Sequence, residues 1–133
     1  MLKLFSVMNP KKFHNHLHTL KHDRFGLSTL LADEFYQFRL QILAEFQADH
    51  TLNDWYLIGT DGCHLCQIAS ELLAQTATIQ NLPPIQTLDL VDCQSVPIID
   101  SLGVHIPILI TPTRLLCYPF GMMDILSLSQ QAY

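Results

Sequence analysis

The chain has 133 residues, of which 49% are apolar, and a net charge of −5 at neutral pH. That length and composition predict one domain, or one small domain with an extension, and exclude disorder throughout. The acidic balance argues against nucleic acid as a principal partner, because phosphate binding needs a basic patch.

Residues 1 to 26 show no clear periodicity. Leu2, Leu4, Phe5 and Val7 suit a short strand or an apolar tail. The stretch is too short for a signal peptide, and Pro10 and two lysines follow it without a small-residue cleavage site. No segment reaches the length of a membrane span, so no membrane partner is expected. His14, His16, His18 and His22 make a histidine-rich stretch. On a helix, 14 and 18, or 18 and 22, would share a face; on a strand, 14, 16 and 18 would. Either arrangement suits zinc or copper, but histidine-rich termini are more often solvated, and no metal site is assigned here.

Residues 27 to 50 are clearer. Leu27, Leu30, Leu31, Phe35, Phe38, Ile42 and Phe46 recur at spacings of three or four, which predicts an amphipathic helix with Ser28 as its N-cap. Such a helix is unstable alone in water. It packs on the rest of the chain, on a second copy in a homodimer, or on a partner.

The charge balance changes at Asn53. Beyond it the only lysine or arginine is Arg114, against seven acids: Asp54, Asp61, Glu71, Asp89, Asp92, Asp100 and Asp124. The break divides the chain into an N-terminal extension, 1–52, and a domain, 53–133. Trp55–Gly59 reads as a buried strand, Thr60-Asp61-Gly62 as a turn, and 63 to about 77 as a helix with Cys66, Ala69, Leu72, Leu73 and Thr76 on its inner face.

That helix opens with Cys63-His64-Leu65-Cys66. Cys63 falls where helix N–H groups lack partners and the dipole is positive, so its thiolate is favoured. Cys66 lies one turn further in, within reach for a disulfide. A C-x-x-C near a βαβ pattern, without an export signal, points to thiol–disulfide exchange. Cys63 is then the attacking thiol and Cys66 the resolving one. His64, when protonated, is a supporting candidate.

Asn81-Leu82-Pro83-Pro84 is a break, and 85 to 91 reads as a second strand. Strand, helix, strand over this span implies a parallel pair with a right-handed crossover. Ser95 caps a short helix running to 102, with Pro97 in its first turn and Gly103 ending it. Residues 108 to 111 and 114 to 118 flank Pro112-Thr113 as an antiparallel hairpin, and a last helix runs from 122 to about 131. Two further cysteines, Cys93 and Cys117, are expected as free thiols packing like small apolar residues in a reducing compartment, the cytoplasm.

On these residues the segment 53–133 resembles the thioredoxin superfamily. Gly62-Cys63-His64-Leu65-Cys66, with Val104-His105-Ile106-Pro107 downstream, is similar to the motifs of small bacterial glutaredoxin-like proteins. The resemblance implies an α/β fold of order β-α-β-α-β-β-α, a mixed four-stranded sheet with helices on both faces, here preceded by an N-terminal helical extension. It implies that the Ile106–Pro107 bond is cis and leaves the Ile106 backbone to pair with an extended substrate. The chain also departs from the pattern. Thr111-Pro112-Thr113 stands where glutaredoxins carry a Gly-Gly turn and an acid, Gly121 and Asp124 are a partial echo, and Arg114 is the one cation of its kind available to hold glutathione. Leu57 and its neighbours offer no buried acid of the thioredoxin type, so the Cys66 proton would move through water, His64 or Asp61.

The expected function is a thiol–disulfide oxidoreductase acting on a disulfide-containing protein or a small thiol. It needs no bound organic cofactor and draws electrons from a reductase or from glutathione. The acidic domain favours a neutral or basic partner. Two other readings stand beside it: the two thiolates hold zinc, copper or an iron–sulfur cluster, or the chain is a non-catalytic module whose working surface is the 27–50 helix.

Overall fold

Side-chain alternation along the strands decides which helix covers which face of the sheet. The computed structural model describes residues 10–22, 32–48 and 54–129. Within them lie α1 (Pro10–His22), α2 (Ala32–Glu45), β1 (Trp55–Gly59), α3 (His64–Ala77), β2 (Ile85–Asp89), a 3-10 turn (Leu90–Asp92), α4 (Val96–Gly103), β3 (Ile108–Ile110), β4 (Leu115–Cys117) and α5 (Met122–Ser129). The fold is α/β with a mixed four-stranded sheet in the order β2-β1-β3-β4. β1 and β2 are parallel, Trp55 opposite Ile85 and Gly59 opposite Asp89. β3 runs antiparallel to β1, and β4 antiparallel to β3.

Tyr56, Ile58, Ile108, Ile110, Leu115 and Cys117 point to one face, where Phe13 and Leu17 of α1, Phe38 and Ile42 of α2 and Ile98 and Leu102 of α4 pack on them. Trp55, Leu57, Leu109 and Leu116 point to the other, under Ala69 and Leu73 of α3 and Ile125 and Leu128 of α5. Helices therefore cover both faces, and α1 and α2 share a core with the sheet. Among the described residues no helix is long and apolar enough to cross a membrane.

The apolar stripe of α2 is buried inside this chain at Phe35, Phe38, Ile42 and Phe46; Leu27, Ser28, Leu30 and Leu31 lie outside the described residues. Gln47, with φ at 55°, ends the helix in the left-handed conformation that asparagine or glycine more often supplies. Arg39 is only 1% exposed. Its Nη2 donates to the Asp54 carbonyl at 2.8 Å, and its guanidinium lies 5.4 Å from the centre of the Tyr56 ring. Desolvation lowers its pKa, while Tyr56, Asp54 and Tyr36 oppose that shift.

Three details correct the sequence reading. The stretch 1–26 contains α1, whose buried apolar side chains among those described, Phe13 and Leu17, lie four residues apart and are outnumbered by the polar residues around them. β2 ends at Asp89 rather than 91, because the Asp89 carboxylate accepts the Val91 N–H at 3.1 Å and turns the chain into a 3-10 turn. The hairpin strands are three residues each, closed by Thr111 N–H to the Arg114 carbonyl and Arg114 N–H to Thr111 Oγ1, both at 2.9 Å. Ser95 caps α4 as expected, its Oγ accepting the Ile98 N–H at 3.4 Å. Residues 1–9 and 130–133 lie outside the described residues.

Candidate active site

The buried strand β1 delivers the chain to its C-terminal end, where Asp61 and Gly62 turn it into α3. Gly62 takes φ +77°, a conformation that costs glycine little. Cys63 is the N-cap of α3: its backbone is extended and its Sγ accepts the Cys66 N–H at 3.1 Å. Cys63 and Cys66 are joined by a disulfide, with Cα atoms 5.2 Å apart. Cys63 is half-buried, whereas Cys66 is 9% exposed beneath it. Leu65, between them, is 45% exposed.

An open cleft of about 760 Å³ adjoins the disulfide. Cys63, Cys66, Asp61 and His64 all line it, so these four sequence candidates are brought together. Asp61 and His64 are exposed. Ile106 and Pro107 do not line this cleft. The Ile106–Pro107 bond is cis, as is Tyr118–Pro119. Continuing the register one residue past Ile58 opposite Ile108 puts Pro107 beside Gly59, at the end of β1 from which the cysteine turn leaves. Pro107 is buried and its carbonyl accepts the Tyr118 N–H at 3.0 Å; Ile106 is half-buried against the α2 and α4 side of the core.

Sequence reasoning missed two supports. The first is Gly59. A Cβ there would sit 2.9 Å from Cys66 Sγ and 3.1 Å from Cys66 Cβ. Glycine inside a strand is the available sequence signal, because it marks a close approach by another group. Gly59→Ala is expected to destabilise the oxidised protein by about 1–3 kcal/mol through overpacking, read as a lower urea midpoint. The reduced protein should lose less, since a free Cys66 sulfur can rotate away. Equal losses in both forms would contradict this reading of the contact. The second support is Asp89, whose Oδ1 accepts from Thr60 Oγ1 at 3.1 Å and so ties the turn to the end of β2. That tie is tertiary and has no local sequence signature.

The remaining candidates fall elsewhere. Asp124 reaches back to the Gly121 N–H at 2.8 Å and caps the start of α5. Arg114 sits at the hairpin and donates to the Thr113 carbonyl at 2.9 Å. Neither lines the cleft. Cys93 and Cys117 are buried and outside any disulfide. Burial pushes the Cys93 thiol up in pKa, with the Glu45 charge assisting and a hydrogen bond with the Ser95 backbone opposing. α1 being a helix, His14 and His18 share a face, while the ring of His16 meets the edge of Phe38 at 6.2 Å between centres. Among the described residues no group of three or more His, Cys, Asp or Glu side chains is placed to hold a metal ion. Comparison of the chain with protein-family models, with curated proteins and with solved structures gives no match.

Proposed function

We propose that this protein is a thiol–disulfide oxidoreductase of thioredoxin-like arrangement, working through Cys63 and Cys66. The observation that carries the reading is the N-cap position of Cys63, whose sulfur accepts a backbone N–H at the start of a 14-residue helix within disulfide reach of Cys66. In the reduced protein, unpaired N–H groups and the helix dipole favour the Cys63 thiolate over the thiol. The parallel β1–α3–β2 unit, the antiparallel β3–β4 pair and Pro107 at the end of β1 support the thioredoxin-like arrangement.

The chemistry follows from exchange at sulfur. The Cys63 thiolate attacks one sulfur of a substrate disulfide, forming a mixed disulfide and expelling the other sulfur as a thiolate, which takes a proton. Cys66, on losing its proton to water, His64 or Asp61, attacks the Cys63 sulfur and expels the second substrate thiolate. The substrate gains two electrons and two protons; the protein ends with the Cys63–Cys66 disulfide. An external thiol or dithiol reductant, glutathione among the candidates, restores the pair.

Trapping tests the reading. Cys66→Ser cannot complete the second step and is expected to accumulate a covalent adduct at Cys63 when the reduced protein meets a disulfide. Intact-mass measurement should show an increment that vanishes with dithiothreitol. A variant that forms no adduct with any disulfide offered would refute the mechanism.

A further inference from the structure

We infer that the substrate is an extended polypeptide carrying a disulfide, seated in a groove between α3 and β2 that begins at Cys63; this rests on the oxidoreductase reading above. The cleft at the disulfide does not end there. Leu57, Ser70 and Thr87 line both it and a second hollow of about 280 Å³ further along α3. The two hollows therefore adjoin, and the proposed channel runs through both.

Its helix wall is Gln67, Ser70, Ala74 and Ala77, spaced three, four and three, so they follow one stripe down α3. All four are exposed. Its strand wall is Ile85, Thr87 and Asp89, alternate residues on one face of β2. α3 packs over β1 through Ala69 and Leu73 on Leu57; on this face of β2 Thr87 is exposed while Ile85 and Asp89 are half-buried, and β2 is an edge strand of the sheet. From Gln67 to Ala77 the helix rises about 15 Å, the length of four or five extended residues at roughly 3.3 Å each. Beyond β2 the sheet ends, so the groove is open along that side, and the hollow takes alternate side chains of such a segment.

Chemistry changes along the channel. The end at the thiols carries Asp61, Asp89 and Asp92 and no lysine or arginine. The far end is walled by Leu73, Leu82, Pro83 and Ile85. This pattern fits a polypeptide with neutral or basic residues beside its cysteine and an apolar side chain further off. It disfavours glutathione, which brings two carboxylates to the acidic end.

The test compares one reactive disulfide in three settings, using the full reduced chain in single-turnover measurements. The probes are hydroxyethyl disulfide and two short peptides whose single cysteine is capped by 2-mercaptoethanol. One peptide has lysines beside the cysteine and a leucine further off; the other has glutamates in place of the lysines. The lysine peptide is expected to react about tenfold faster than either alternative at low salt, with the gap over the glutamate peptide narrowing as salt rises. Ala74→Trp fills the channel beyond the thiols and should remove most of the lysine peptide's advantage over hydroxyethyl disulfide. Ala77→Trp repeats the test one turn on, and Met123→Trp, on exposed surface of α5, should leave the ratio at its wild-type value. A ratio unmoved by both alanine substitutions, or equal rates for all three probes, overturns the groove and leaves the dithiol reaction standing. No reaction with any probe overturns both.

Discussion

Cys63→Ser is expected to abolish the proposed disulfide exchange, lowering the single-turnover rate by on the order of a thousandfold or more, because exchange needs a thiolate nucleophile and a serine hydroxyl is not ionised near neutral pH. The control lies in the same chain. Cys93 and Cys117 are buried and bonded to no other cysteine. Burial holds Cys93 in its protonated, unreactive form well past neutrality. Cys93→Ala and Cys117→Ala should therefore keep exchange within about twofold of the parent rate. The same hierarchy should appear in alkylation of the reduced protein, with Cys63 modified first and the two core thiols only after unfolding. Mass spectrometry of timed iodoacetamide reactions reads it directly. If Cys63→Ser retained a substantial share of the rate, the nucleophile would have to be sought elsewhere.

Phe38→Ala carries the largest expected effect on stability. Phe38 is fully buried in α2 and belongs to the same cluster as Tyr56, Ile58, Ile108 and Ile110 of the sheet. Its ring stacks on Phe13 of α1, with centres 4.7 Å apart and planes 24° from parallel, and meets the edge of His16. Truncation loses the transfer energy of the ring and leaves a cavity, together about 3–5 kcal/mol, and the stacked pair adds about 0.5–1.5 kcal/mol. Against a total stability of ~5–15 kcal/mol that is a large fraction. The expected result is a marked fall in the urea midpoint at unchanged m-value. A loss below about 1 kcal/mol would mean that α1 and α2 contribute little to the folded sheet. Desolvation beside this cluster also lowers the pKa of His16, with Glu34 opposing and Lys12 assisting.

Which parts of this protein could be read from its sequence follows from the range of the forces involved. β1, its turn and α3 were legible because each is encoded locally: an apolar run, a glycine turn, a cysteine at a helix start and an inner face at helical spacing. The Ser95 cap and the Pro97 first turn were legible for the same reason. The stripe of α2 was visible from its period, but its destination was not, since an amphipathic face does not name what covers it. α1 was illegible because Phe13 and Leu17, its buried apolar side chains among the described ones, stand among lysines and histidines. Asp89 reads locally as a strand residue; only the fold brings Thr60 to its carboxylate. The channel along α3 depends on what is missing above β2, and no residue pattern in one segment encodes an uncovered surface.

The depth of the two sulfurs also bears on oxidative damage. Cys66 lies buried behind Cys63, so a peroxide arriving from solvent meets Cys63 first. Oxygen transfer to that sulfur gives a sulfenic acid and releases water. With Cys66 one helical turn away, its thiol condenses with the sulfenic acid, expels a second water and closes the native bridge. Further oxidation to the irreversible sulfinic and sulfonic acids is pre-empted, and an injury that would silence a solitary reactive cysteine becomes one that any ordinary thiol can reverse.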